Sequence, residues 1–154
     1  MVLPKLHPDF ADLLRAFADA DVRYLVIGGY AVGFHDRPRT TKVLDLLLDD
    51  TTENVAHACK ALLSFAAPRS VIDTLAGAAA DEIVWMGTPP LRVDLLKSAP
   101  GVDFEAAYSA RQTVLLEGVR VDVIGLEHLI AAKRAAGRDQ DRLDAKRLER
   151  LLPK

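Results

Sequence analysis

Cysteine is nearly missing from this chain of 154 residues, with Cys59 the only one. It has no partner for an intramolecular disulfide, and Cys-rich zinc sites are excluded. An excess of one charge is missing too. Twenty Lys and Arg stand against 22 Asp and Glu, a formal net charge of −2. That balance argues against a general nucleic-acid coat and leaves room for a local basic patch. Long hydrophobic runs are absent. The longest apolar stretch, Tyr24 to Phe34, is broken by glycine and falls far short of the roughly 20 residues a membrane span needs. The first ten residues, MVLPKLHPDF, contain no apolar signal core. Nine Gly and eight Pro do not describe a fibrous or disordered chain. These absences predict a soluble, cytoplasmic protein with no membrane partner. Half of the residues are hydrophobic, and a chain of this size buries about two-thirds of its surface on folding. One domain over residues 1–154 is expected.

Along the chain, Phe10, Leu13, Leu14 and Phe17 recur at helical spacing. Tyr24-Leu25-Val26-Ile27 reads as a buried strand ending at Gly28-Gly29, and Tyr30 to His35 as a short helix. Asp36 to Thr41 is a polar connection. In the strand Val43 to Asp49, Leu44, Leu46 and Leu48 share one face and Val43, Asp45, Leu47 and Asp49 the other. Thr51 or Thr52 caps a helix whose inward face is Val55, Ala58, Cys59, Leu62 and Leu63. Residues 67–80 read as loop plus a weak helix. Strands at Asp81–Met86 and Leu91–Leu96 flank the turn Gly87-Thr88-Pro89-Pro90, and Phe104 to Ala110 reads as a short helix. Thr113–Leu116 and Val119–Ile124 flank Glu117-Gly118 as a hairpin. A helix over Leu126–Ala136 stops at Gly137, and a charged helix covers Gln140–Leu152. The order predicts a mixed α/β (α+β) domain, a small mixed sheet flanked by helices with a helical C-terminal end. Trp85, Met86 and Phe104 are assigned to the core.

Three features carry chemistry. Gly28-Gly29 lies between a strand and a helix, where a backbone without Cβ admits a phosphate to the helix N-terminus. Taken alone, the pair is only a tight turn. Asp45 sits on the strand face opposite the Leu44/Leu46/Leu48 core, and Asp94 interrupts the apolar strand Arg92-Val93-Asp94-Leu95-Leu96. Singly, each reads as an ordinary strand aspartate.

Together, the segment VIGGYAVGFHDRPRTTKVLDLLLD and the later Asp94 resemble the polymerase-β-like nucleotidyltransferase superfamily. Its pattern is hydrophobic-Gly-Gly/Ser, then Asp-x-Asp on the next strand, then a distant Asp. The segments PPLRVDLLKSAPGVDFEAA and VRVDVIGLEHLIAAKRAAGRDQDRLDAKRLERLL are similar to small bacterial AbiEii-related nucleotidyltransferase-like proteins, several of which are toxins. The resemblance implies a nucleotidyltransferase fold and transfer of an NMP group from a nucleoside triphosphate to a hydroxyl of RNA, protein or a small molecule. It implies Mg²⁺ or Mn²⁺ held by Asp45 and Asp94, and as partners a tRNA or protein acceptor and a cognate antitoxin. Nucleotide contacts are implied for Gly28, Gly29, Arg37, Arg39, Thr40, Thr41, Lys42 and Lys133. Asp141 and Asp144 are placed on the cleft side, against the plainer reading of surface charge at a helix start. His35 is assigned as a helix-end residue.

The chain departs from the pattern at one position. The pair reads Val43-Leu44-Asp45, so the first carboxylate of Asp-x-Asp is missing. Asp49 shares the Asp45 face but lies about 13 Å along the strand, too far to replace it. The resemblance therefore implies impaired turnover. Its rival is a non-catalytic nucleotide-binding or toxin–antitoxin component that keeps the fold. Two origins fit Val43: a naturally degenerate enzyme, or an inactivating replacement in a toxic protein.

Overall fold

The computed structural model describes residues 5–39, 41–88 and 90–153; Thr40 and Pro89 lie outside the described residues. Helix α1 (Pro8–Asp19) buries the expected stripe of Phe10, Leu13, Leu14 and Phe17. Strand β1 (Tyr24–Ile27) is buried throughout and leads without a loop into α2 (Gly28–His35), which starts two residues earlier than the sequence suggested. Strand β2 (Val43–Leu48) follows, then α3 (Thr52–Ser64) and α4 (Arg69–Gly77). The Thr51 hydroxyl is the cap of α3, accepting from the Asn54 N–H at 3.2 Å.

Strands β3 (Ile83–Met86) and β4 (Arg92–Leu96) form an antiparallel hairpin. Helix α5 (Phe104–Ser109) precedes the second hairpin, β5 (Gln112–Leu116) and β6 (Val119–Val123). Glu117 and Gly118 between them have φ of +53° and +80°, the pair of left-handed residues a type I′ turn requires. Helix α6 (Leu126–Ala136) ends at Gly137, whose φ is +69°, and α7 (Asp139–Glu149) packs against it. The last helix is thus shorter than the charged run that predicted it, because Arg150 to Leu152 leave the α-helical ladder as turns.

The six strands form one sheet in the order β3-β4-β2-β1-β6-β5. The β1–β2 pair is antiparallel, while β2–β4 and β1–β6 are parallel. Strands β2 and β1 occupy the middle, so both of their faces are covered and apolar residues fill both. Leu46 and Leu47, on opposite faces, are equally buried.

Two core assignments are corrected. Leu63 is 62% exposed, because the buried side of α3 is carried by Asn54, Ala58, Ala61 and Leu62 and the stripe leaves Leu63 to solvent. Trp85 is also 62% exposed. It lies on the edge strand β3, and alternation sends Met86 inward and Trp85 outward. Phe104 is half-buried and packs on the core.

Candidate active site

Strand order brings the predicted residues to one end of the sheet. Asp45 on β2 and Asp94 on β4 are direct partners in the parallel ladder, and Ile27, the last residue of β1, is the partner of Asp45 on the other side. Neighbouring strands lie about 4.8 Å apart and paired residues share a face, so the two carboxylates stand side by side. Gly28 follows Ile27 with φ +69°. A side chain there would be strained by its backbone and would collide with the Asp45 carboxylate. Gly29 opens toward Thr41 and Arg39: a Cβ on it would lie 3.2 Å from Thr41 Oγ1 and 3.7 Å from an Arg39 guanidinium nitrogen. No side chain caps α2, so its first amides keep their donor capacity.

Burial pushes the Asp45 carboxyl up to about 7, and the adjacent Asp94 charge adds to the rise, while Lys133 and Arg92 act against it. Arg92, two residues before Asp94 on the same strand face, donates from Nη2 to Asp94 Oδ2 at 3.0 Å. Its Nε lies 2.8 Å from Oδ1, yet Oδ1 is buried without an aligned hydrogen bond. The Nε approach is a charge contact, and the carboxylate oxygen keeps an open coordination direction. A cleft of about 340 Å³ opens over these groups, lined also by Gly28, Lys133, Arg138 and Asp141.

The C-terminal helices supply a buried ionic chain. Asp141 and Asp144 are each 2% exposed, which overturns their reading as surface charge. Lys133 Nζ lies 3.3 Å from Asp141 Oδ1 and 3.1 Å from Asp144 Oδ2. Arg39 donates from both terminal nitrogens to Asp144, at 3.0 and 3.2 Å, and Arg138 Nε donates to Asp141 at 2.7 Å. Burial opposes ionisation of both carboxyls. Their hydrogen bonds outweigh it and hold both below the usual carboxylate range, from Arg138 and Lys133 at Asp141, and from Arg39, Gln140 and Lys133 at Asp144. Asp141 lines the cleft; Asp144 joins Lys133 to the Arg39 connection.

Not every predicted residue converges. Arg37 and Lys42 are exposed on the connection before β2. The Thr41 hydroxyl is engaged with the Val43 backbone at 3.2 Å. His35 faces the Ile124 carbonyl at 2.7 Å through Nε2 and burial lowers its pKa, in keeping with a structural helix-end residue. Asp49 pairs with Arg23 at 2.8 Å at the far end of β2, as its distance from Asp45 required. Arg92 and Arg138 are cleft residues that the motif pattern did not single out. The i, i+2 spacing of Arg92 and Asp94 was the available signal for the first.

The donor set fits one divalent cation, with two adjacent carboxylates and one buried oxygen open to a ligand. It does not fit a pair of cations. The third position is the half-buried Val43, beside Arg92 in the ladder, and among the described residues no group of three His, Cys, Asp or Glu is placed to hold a metal.

No family model matches the chain, and no curated protein matches it by sequence. Among solved structures it is similar to the crystal structure of the lincosamide antibiotic adenylyltransferase LnuA with lincomycin bound. That similarity has a TM-score of 0.56 at 12% identity, over 96% of this chain and 99% of LnuA. The chain shares the fold of this adenylyltransferase. Asp45, Asp94 and the Gly28-Gly29 turn thus lie on neighbouring elements of this fold, β2, β4 and the start of α2. Among the described residues, no helix is long and apolar enough to cross a membrane.

Proposed function

We propose that the chain binds a nucleoside triphosphate and transfers its nucleotidyl group to a hydroxyl acceptor, with turnover held low by Val43. The observation that carries this reading is the in-register Asp45–Asp94 pair beside the Gly28-Gly29 turn, with Asp45 pushed up to about 7. Two carboxylates this close and this buried repel unless a cation or a proton lies between them. Asp45 and Asp94 would hold Mg²⁺ or Mn²⁺, which when bound neutralises phosphate charge and lowers the barrier to displacement.

The rest belongs to the chain. The uncapped amides of α2 and the bare Gly29 backbone receive phosphate oxygens. Arg39 and Lys133 are cations held at the site by Asp144, and Asp141 holds Arg138 at the cleft wall. Asp141 and Asp144 are therefore positioning residues. In the transfer, the acceptor oxygen bonds to the α-phosphorus while the bond to the β-phosphate bridge breaks. Pyrophosphate leaves, and the hydroxyl proton passes to the Asp45–Asp94 pair. At the missing position, the Val43 isopropyl removes one charge and two oxygen donors from the place where the attacking oxygen must be activated.

Calorimetry tests the reading. ATP with Mg²⁺ or Mn²⁺ should bind, and binding should weaken when Arg39 becomes Ala and vanish when Asp45 and Asp94 both become Ala. Absence of any cation-dependent NTP binding overturns it. Val43 also supports a second reading, a nucleotide-binding component without turnover that works through a partner such as an antitoxin. A tRNA or protein acceptor is what the resemblance of the β4–α5 and C-terminal segments to AbiEii-related proteins suggests. Binding without transfer, even after Val43→Asp, would select the second reading.

A further inference from the structure

Trp85 belongs to the same cross-strand row as the carboxylates. It is the ladder partner of Asp94, which is the partner of Asp45, which is the partner of Ile27. Paired residues share a face of the sheet, so the row runs Trp85, Asp94, Asp45, Ile27 and ends at Gly28. The Trp85 backbone is one strand spacing, about 5 Å, from that of Asp94, and Ile83, two residues before Trp85 on the same face, lines the carboxylate cleft. Trp85 is 62% exposed on the edge strand, with the exposed Ile83 beside it. An exposed tryptophan costs solvation without contributing to the core, and this one sits next to a candidate catalytic carboxylate. Trp85 also borders a groove of about 410 Å³ between β3 and α4, lined by Ser70, Val71 and Thr74.

The direction of the row assigns the two flanks, given the nucleotidyl-transfer reading on which this step rests. Phosphates enter over Gly28-Gly29 at one end. In-line displacement requires the attacking oxygen to come from the side opposite the leaving pyrophosphate, which is the Asp94–Trp85 end. We propose that Trp85 is the acceptor-recognition residue and that its indole stacks on a nucleobase carried by the acceptor. Base and hydroxyls are carried on one ribose ring, so a base on Trp85 presents its hydroxyl toward the neighbouring Asp94. The half-exposed Arg92 guanidinium beside Asp94 faces the connecting phosphate, and the groove between β3 and α4 receives the preceding nucleotide. Base stacking on an aromatic side chain supplies affinity without sequence preference.

Trp85 is the only tryptophan of the chain, so its fluorescence reports this site alone. The full chain is titrated with adenosine, with a five-nucleotide oligoadenylate ending in a 3′-hydroxyl, and with an abasic oligomer of equal length. The oligoadenylate should quench the emission to saturation and the abasic oligomer should not. Quenching by adenosine at similar concentration assigns the platform to a free nucleoside, and quenching by the oligomer alone assigns it to a strand end. Trp85→Ala should weaken oligoadenylate binding, read by anisotropy, about tenfold. Trp85→Phe should retain most of it, and both variants should bind Mg²⁺-ATP as the parent does. Unchanged oligomer affinity in Trp85→Ala overturns the assignment. So does quenching by ATP as strong as by the oligomer, or an emission shift with protein concentration that marks a second copy covering the edge strand. Intact base quenching with no Mg²⁺-ATP binding would remove the nucleotidyl-transfer reading and leave Trp85 as a base-binding residue.

Discussion

At the start of β1, Asp49 accepts from Arg23 Nη1 at 2.8 Å, Arg23 also reaches Glu105 at 3.0 Å, and its guanidinium lies 4.6 Å over the Tyr108 ring. Asn54, buried beside them, donates to the Arg23 and Asp49 carbonyls and accepts from the Arg23 N–H. At the other end of the same strands, Asp45 and Asp94 face each other. Arg92 lies against one of them, and the Asp94 Oδ1 is left without an aligned donor. Both ends bury carboxylates in a small sheet. At the Arg23 end Asp49, Asn54 and Glu105 are all engaged with Arg23, and the cluster ties α3, β1 and α5 together. At the Gly28 end burial and the neighbouring Asp94 charge push Asp45 up to about 7, and one Asp94 oxygen has no aligned donor. Unmet electrostatic demand, more than burial or acidity, separates a site from a structural ion pair.

The sharpest way to break this contrast is to complete the incomplete end. Val43→Asp should raise nucleotidyl transfer by several powers of ten, as a nucleophile-activating ligand returns. Label from α-³²P NTP in cell extract and on purified tRNA measures it. Strong labelling by the Val43 protein, abolished in Asp45→Ala, would show that two carboxylates suffice. The glycines give the next largest effect. Gly28→Ala should cost about 2–4 kcal/mol, since it adds a left-handed strain to a collision with Asp45. Gly118→Ala, with open space around it, should cost only about 1 kcal/mol. Urea unfolding of the two variants compares them.

A third test uses pH in chelator-treated protein. The folded pKa of Asp45, about 7, lies above its ordinary 3.8, so the folded state holds this proton more tightly than the unfolded chain. Stability present below pH 4 is therefore lost as pH rises toward 7, on the order of 4 kcal/mol. Asp45→Asn should flatten that part of the profile, and Mg²⁺ should oppose the loss at pH 7. The smallest effect belongs to the satisfied end. Arg23→Ala removes the partner of the buried Asp49 carboxylate while opening it to water, and should cost about 1–2 kcal/mol, read by thermal unfolding. It should leave nucleotide binding unchanged. A larger loss of nucleotide binding there than at Arg39 would dissolve the distinction between the two ends.

Much of this was legible in the residues. Alternation along Val43–Leu48 placed Asp45 opposite the Leu44/Leu46/Leu48 face, and the Gly28-Gly29 break after an all-apolar run marked the turn, because both signals are local and periodic. The fate of Asp141 and Asp144 was not local. Helical spacing puts Asp141, Ala145 and Leu148 on one face without saying that it is buried, and only the packing of α7 against α6 and the loop before β2 supplies Lys133 and Arg39 as partners. Trp85 and Leu63 were misassigned for the converse reason, since hydrophobicity does not say whether an element lies at a sheet edge.

By itself, then, the sequence determined the elements, the faces of their side chains and the absence of a carboxylate at position 43. These follow from backbone periodicity and residue chemistry. Tertiary structure alone decided that Asp45 and Asp94 are ladder partners, that the α7 acids are buried against cations from two distant segments, and that an indole stands exposed in the carboxylate row. Those outcomes depend on the strand order β3-β4-β2-β1-β6-β5, which is set by how the whole chain buries its apolar surface and is written in no single segment of it.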